Sequence, residues 1–185
     1  MAWRLARDDL FASHPQSPVP EGSRPTFAGM RFFPYDPSWR LVATLEPAPG
    51  PGVPSPPDAP SSPPSSLTPP AVSSPDGVFR VIGVVVAMRD GQEIRLPLLR
   101  LDAYGGGLFL PFRDATNGDE TYGGGRYLLD QAKGADLGTD ADGALILDFN
   151  FAYHPSCAHD PRWTCPLAPP DAVVPIPVRA GEMAP

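Results

Sequence analysis

Side chains able to bind or transform a ligand are concentrated between Arg113 and Tyr127 and again around Asp148. The first stretch holds Arg113, Asp114, Thr116, Glu120, Thr121, Tyr122, Arg126 and Tyr127 among several glycines. Donors, acceptors and glycines that allow close backbone approach suit a small-molecule site. The same groups can equally pair among themselves, Arg113 and Arg126 with Asp114 and Glu120, and pin a long loop. Asp148 and Asn150 stand at i and i+2 in an alternating segment, so they project from one strand face. If that face is enclosed, the carboxylate needs a cationic partner such as Arg113 or Arg126. With Tyr153 these residues form the candidate ligand-binding set: arginines for an anionic group, Asp148 and Asn150 for orientation.

A second grouping lies just beyond. His154, Cys157, His159 and Cys165 fall within twelve residues as H-x2-C-x-H-x5-C. These are ligand types for zinc, but the spacing matches no standard knuckle, and no metal is assigned. The two cysteines are too few for a secreted disulfide scaffold. Cys157 with a neighbouring histidine as base resembles a thiol nucleophile, yet nothing marks an oxyanion hole. Asp136, Asp140, Asp142 and Gly143 lack the bidentate glutamate and flanking helices of a calcium loop. The glycine triplets at 105–107 and 123–125 lack the Lys-Ser/Thr sequel of a phosphate loop. The cofactor, if any, is left unknown.

The chain that must position these groups has 185 residues, enough for one domain. Its 28 prolines and 18 glycines exclude a helix bundle, because proline removes a backbone donor and obstructs the helix interior. A formal net charge of −7 opposes a phosphate-tracking groove, so nucleic acid is not an expected partner. No apolar run reaches the length of a signal peptide core or membrane span, so a soluble, cytoplasmic protein and no membrane partner are expected. Thirteen of the fourteen basic residues are arginine, a skew that fits compositional bias better than function.

The spacing of Trp3, Ala6 and Leu10 predicts a short helix over residues 2–12, ended by His14-Pro15. Residues 39–45 read as a strand. The stretch 46–77 carries twelve prolines and seven serines and few apolar residues, which predicts a disordered, extended linker. A PxxP peptide docking a protein partner is the sharper alternative for it. Residues 1–45 are too few to stand alone and are expected to dock on the β-rich core 78–185, giving one structural domain. In that core, 78–88 and 93–101 form a hairpin around Asp90-Gly91. After the short strand LFLPF, residues 144–153 read as a long strand with Leu145, Leu147, Phe149, Phe151 and Tyr153 on one face. The expected fold is mainly β: an antiparallel sandwich or small barrel with an N-terminal helix and a long Pro-rich loop.

Several blocks then carry a resemblance. They include Phe32-Phe33-Pro34-Tyr35-Asp36-Pro37, Pro111 to Thr116, Glu120 to Gly123, Gly125-Arg126-Tyr127, Leu147 to Asn150, Cys165-Pro166-Leu167 and Ala180-Gly181-Glu182. In that order they resemble the prokaryotic family called domain of unknown function 1684, across nearly the whole chain apart from the Pro/Ser stretch. The resemblance implies kinship without a biochemical role. The chain departs from the family pattern at His154, where asparagine is usual, at Phe151, where a basic residue is common, and at Ala172, where asparagine is frequent.

The leading expectation is a β-rich small-molecule-binding protein. The alternatives are a hydrolase-type enzyme, with Asp148 as acid or base and Tyr127 as proton donor, and a non-catalytic scaffold.

Overall fold

The computed structural model describes residues 2–48, 72–74, 77–101, 107–129 and 134–185. Most of the Pro/Ser-rich stretch and the start of the 105–107 glycine turn lie outside them.

The helix α1 spans Ala2–Ser13. The strands are β1 (Arg40–Pro47), β2 (Val72–Ser74), β3 (Gly77–Arg89), β4 (Gln92–Leu101), β5 (Leu108–Phe112), β6 (Arg126–Leu128) and β7 (Leu145–Asp148). Six of them run in the order β6-β5-β4-β3-β1-β7, all antiparallel, with β2 paired to β3 beside this path. The sheet curls into a half-barrel, so the fold is mainly β with a short N-terminal helix. The β3–β4 hairpin turns at Asp90 and Gly91, both at positive φ (48° and 77°), the backbone that a two-residue turn matched to strand twist requires.

Alternation sorts the apolar side chains onto two faces. The inner face buries Leu41, Ala43, Val85, Ala87, Ile94, Leu96, Leu98, Leu110, Phe112, Leu128 and Leu147, with Val174, Val178 and Ala180 of the C-terminal tail packed in the same core. The outer face gathers Phe79, Leu99, Phe109, Tyr127 and Tyr153 into a second, smaller cluster. A bulge between Val81 and Gly83 shifts the β3–β4 register. Gly83 is required there, because a Cβ would stand 2.5 Å from the Glu46 carbonyl oxygen.

Two details differ from what the sequence pattern predicts. The strand expected over 144–153 ends at Asp148, whose Oδ1 accepts from the Asn150 N–H (3.0 Å) and starts a 3-10 turn over Phe149–Phe151. That local hydrogen bond competes with the sheet ladder and moves Tyr153 to the outer cluster, away from Leu147 and Phe149. The buried face of α1 is centred on Arg7 and Phe11, and Leu10 is 38% exposed. Trp3, Arg7 and Phe11 follow the i, i+4, i+8 stripe. Trp3 packs on Phe151 (5.1 Å between ring centroids) and Phe11 on Phe27 and His159 (6.4 and 5.0 Å).

Candidate functional site

Two buried ionic clusters tie the ends of the chain to the sheet. The first is built on Arg126 of β6, which is fully buried. Its Nη2 donates to Asp114 Oδ2 (3.0 Å) and the Val178 carbonyl (2.7 Å), and its Nη1 to the carbonyls of Ala180 (2.5 Å) and Glu182 (3.3 Å). Asp114 Oδ1 accepts from the N–H groups of Thr116 (2.8 Å) and Val178 (3.1 Å). Burial pulls the Arg126 pKa down against the opposing pull of Asp114. One guanidinium thus joins β6, the 114–121 loop and the C-terminal tail.

The second cluster is centred on Glu182, also fully buried. Its Oε1 accepts from Arg7 Nε (2.5 Å) and its Oε2 from the His154 N–H (2.7 Å). Burial pushes the Glu182 carboxyl up, and the Arg7 guanidinium opposes that push. Gly181 delivers this side chain from positive φ (79°), and a Cβ there would stand 2.5 Å from the Ala152 carbonyl oxygen that receives the Glu182 N–H. His154 Nε2 accepts from the Tyr122 N–H (3.2 Å), which leaves the imidazole proton on Nδ1, 3.7 Å from Glu182 Oε2.

Desolvation holds His154 neutral and lowers its pKa from 6.5 to about 2. An unfolded chain takes up that proton below 6.5, so the stability due to a neutral His154 is complete above that pH and lost as pH falls. Replacing His154 by Gln, whose amide oxygen can receive the Tyr122 N–H, removes this dependence. Urea unfolding at pH 6 and pH 4 should show wild type losing about 2–3 kcal/mol more than His154→Gln over that interval.

Beside the second cluster a cavity of about 370 Å³ opens between α1 and the outer face of the sheet. Its walls include Phe79, Phe109, Tyr127 and Tyr153 from the sheet side and Leu10 and Phe11 from the helix. The aromatic walls pack edge to face: Phe109 on Tyr127 (4.7 Å) and Tyr127 on Tyr153 (5.6 Å). Tyr127 donates its hydroxyl to the Pro166 carbonyl, and burial raises its phenol pKa well above the usual range. Arg7 reaches the cavity between rings, its guanidinium carbon 4.9 Å from the Phe11 centroid and 4.8 Å from that of Tyr153.

A family model described as a protein of unknown function, DUF1684, matches residues 25–183. The chain belongs to the DUF1684 family. A solution NMR structure of an uncharacterized protein from Haloarcula marismortui is similar to it, with 32% identity, 98% of this chain and 90% of that chain covered, and a TM-score of 0.67. No curated protein matches. The DUF1684 match begins after α1, so Arg7 lies outside it while its partner Glu182 lies inside.

Within this DUF1684 chain the residues singled out from sequence fall into separate places. Arg126 and Asp114 pair with each other. Thr116 and Thr121 share a hydroxyl contact (2.9 Å), and Asn117 Nδ2 donates to Thr121 and to the Tyr122 carbonyl, which closes the loop on itself. Glu120 engages Arg179 at the surface (2.9 Å), not Arg113 or Arg126. Arg113 aligns the tail by backbone hydrogen bonds to Ala172 and Val174. Asp148 and Asn150 lie apart from the arginine cluster. Asp148 Oδ2 accepts from Arg40 and Tyr35 (3.3 Å each), and Asn150 exchanges hydrogen bonds with the Asp36 backbone (2.9 and 2.8 Å). The partner expected for Asp148, Arg113 or Arg126, is therefore replaced by Arg40, because the 3-10 turn aims the carboxylate at the Pro34–Pro37 turn. Only Tyr127 and Tyr153 of the expected ligand set line the cavity, joined there by His154 and Cys165.

Among the described residues no three His, Cys, Asp or Glu side chains stand together as a metal site. Cys157 and Cys165 are both free thiols, and the Cys157 N–H donates to Cys165 Sγ (3.3 Å). His154 Nε2 is occupied by Tyr122, and His159 packs edge to face against Phe11. Sequence reasoning missed Arg7, Glu182 and Trp163. The i, i+4, i+8 run of Trp3, Arg7 and Phe11 was a signal for the first, and the Ala180-Gly181-Glu182 block for the second.

Proposed function

We propose that this DUF1684 protein binds a small organic molecule in the cavity between α1 and the outer sheet face, without transforming it. The cavity itself carries the reading: its volume of about 370 Å³ lies in the range of small-molecule pockets, and its walls are mostly apolar and aromatic with a few polar groups. Two features favour binding over turnover. Cys165, the thiol on the wall, is pushed up to about 11 by burial, which leaves little thiolate at neutral pH. Asp148, the carboxylate of the hydrolase alternative, is engaged by Arg40 and Tyr35. The polar blocks then act as the frame that holds tail, loop and helix around the cavity, within one structural domain. No described helix is long and apolar enough to cross a membrane.

Leu10 offers a fold-sparing way to fill the cavity, because it lines the wall and is 38% exposed. Native mass spectrometry of protein purified from its source should show a retained organic mass in wild type and its loss in Leu10→Trp. Equal retention in both would place the molecule elsewhere and overturn the reading.

A further inference from the structure

Besides His154 Nδ1, which faces Glu182 Oε2 at 3.7 Å, two residues of the cavity wall carry N–H donors without acceptors. Arg7 is 6% exposed and commits Nε to Glu182, but its Nη2 has no hydrogen-bond partner among the described residues. Trp163 Nε1, on the same cavity, is likewise buried and unpartnered. Buried donors are nearly always satisfied, and one left without an acceptor is destabilising. Two such donors on residues of one largely apolar cavity call for an acceptor supplied from outside the chain.

Accepting the cavity as the ligand site, we infer that its ligand is an organic monocarboxylate: an apolar or aromatic body among Phe79, Phe109, Tyr127 and Tyr153, with a carboxylate accepting from Arg7 Nη2 and Trp163 Nε1. A carboxylate has two oxygens for two donors, and a guanidinium arm is suited to it. A single negative charge fits better than a phosphate dianion, because Arg7 already shares its charge with Glu182 and the remaining walls offer no second arginine or lysine.

Calorimetric titration with octanoate against octanol, and hydrocinnamate against hydrocinnamyl alcohol, tests the charge. The acid of at least one pair should bind wild type roughly tenfold tighter or more than its alcohol, the size of a charge-assisted hydrogen bond. Trp163→Phe, which removes the indole donor together with the pyrrole part of the ring, should shrink that preference to about twofold or threefold, the acid losing more affinity than its alcohol. Arg7→Lys, which keeps a charge beside Glu182 but removes the free arm, should act the same way. Alcohols that bind as well as acids, or an acid preference that survives both substitutions, would overturn the inference. The cavity reading would still stand if Leu10→Trp abolished that alcohol binding. No binding of any of the four compounds would overturn both.

Discussion

Replacing Arg126 by Met is expected to destabilise the protein by roughly 3–5 kcal/mol, the cost of leaving one member of a buried ion pair uncompensated. Asp114 and Arg126 have fully buried side chains, so water cannot take the place of the lost guanidinium. Three tail carbonyls, those of Val178, Ala180 and Glu182, lose their donor in the same step. Urea unfolding should show the midpoint falling steeply, and Arg126→Met with Asp114→Asn should recover part of the loss because the orphaned charge is gone. A double variant no better than Arg126→Met would show that the carbonyl contacts, not the ion pair, hold the tail.

The second large effect concerns Glu182→Leu. It removes the acceptor of Arg7, whose side chain is 7% exposed, so a loss of about 3–5 kcal/mol is again expected. The consequence is also regional, because this contact spans 175 positions and fastens α1 to the C-terminal tail. Hydrogen exchange should therefore accelerate over 2–13 well before it does in β3 and β4. Adding Arg7→Met to Glu182→Leu should restore much of the stability, since three aromatic rings already surround the Arg7 position. Uniform acceleration across the sheet would contradict a local fastening.

Which parts of this arrangement were legible in the sequence follows from the range of the interactions. The β3–β4 hairpin was readable because alternation and the Asp90-Gly91 turn are local signals. The strand at 145 was readable in its start but not its end, because the Asp148 side chain captures the Asn150 N–H and outcompetes an apolar alternation that runs on to Tyr153. The helix was found but its face misplaced: an apolar pattern prefers Leu10 and discounts Arg7, whereas burial of Arg7 depends on Glu182 at the other end of the chain. The polar stretch 113–127 announced a network, and composition alone could not divide it into self-satisfied pairs and a neighbouring cavity. The cavity had no local signature, since its walls come from α1, β3–β6 and residues 153–166.

The three tryptophans allow the central claim, a ligand held between α1 and the outer sheet face, to be read directly. Trp163 lines the cavity, whereas Trp39 is buried in the inner core against Phe149 (5.4 Å). In nitrogen–proton correlation spectra recorded during titration with octanoate and octanol in turn, the Trp163 indole resonance should shift to saturation with at least one of them. The Trp39 indole should stay in place throughout. A moving Trp39 beside an unmoved Trp163, or no indole shift with either compound, would contradict the account.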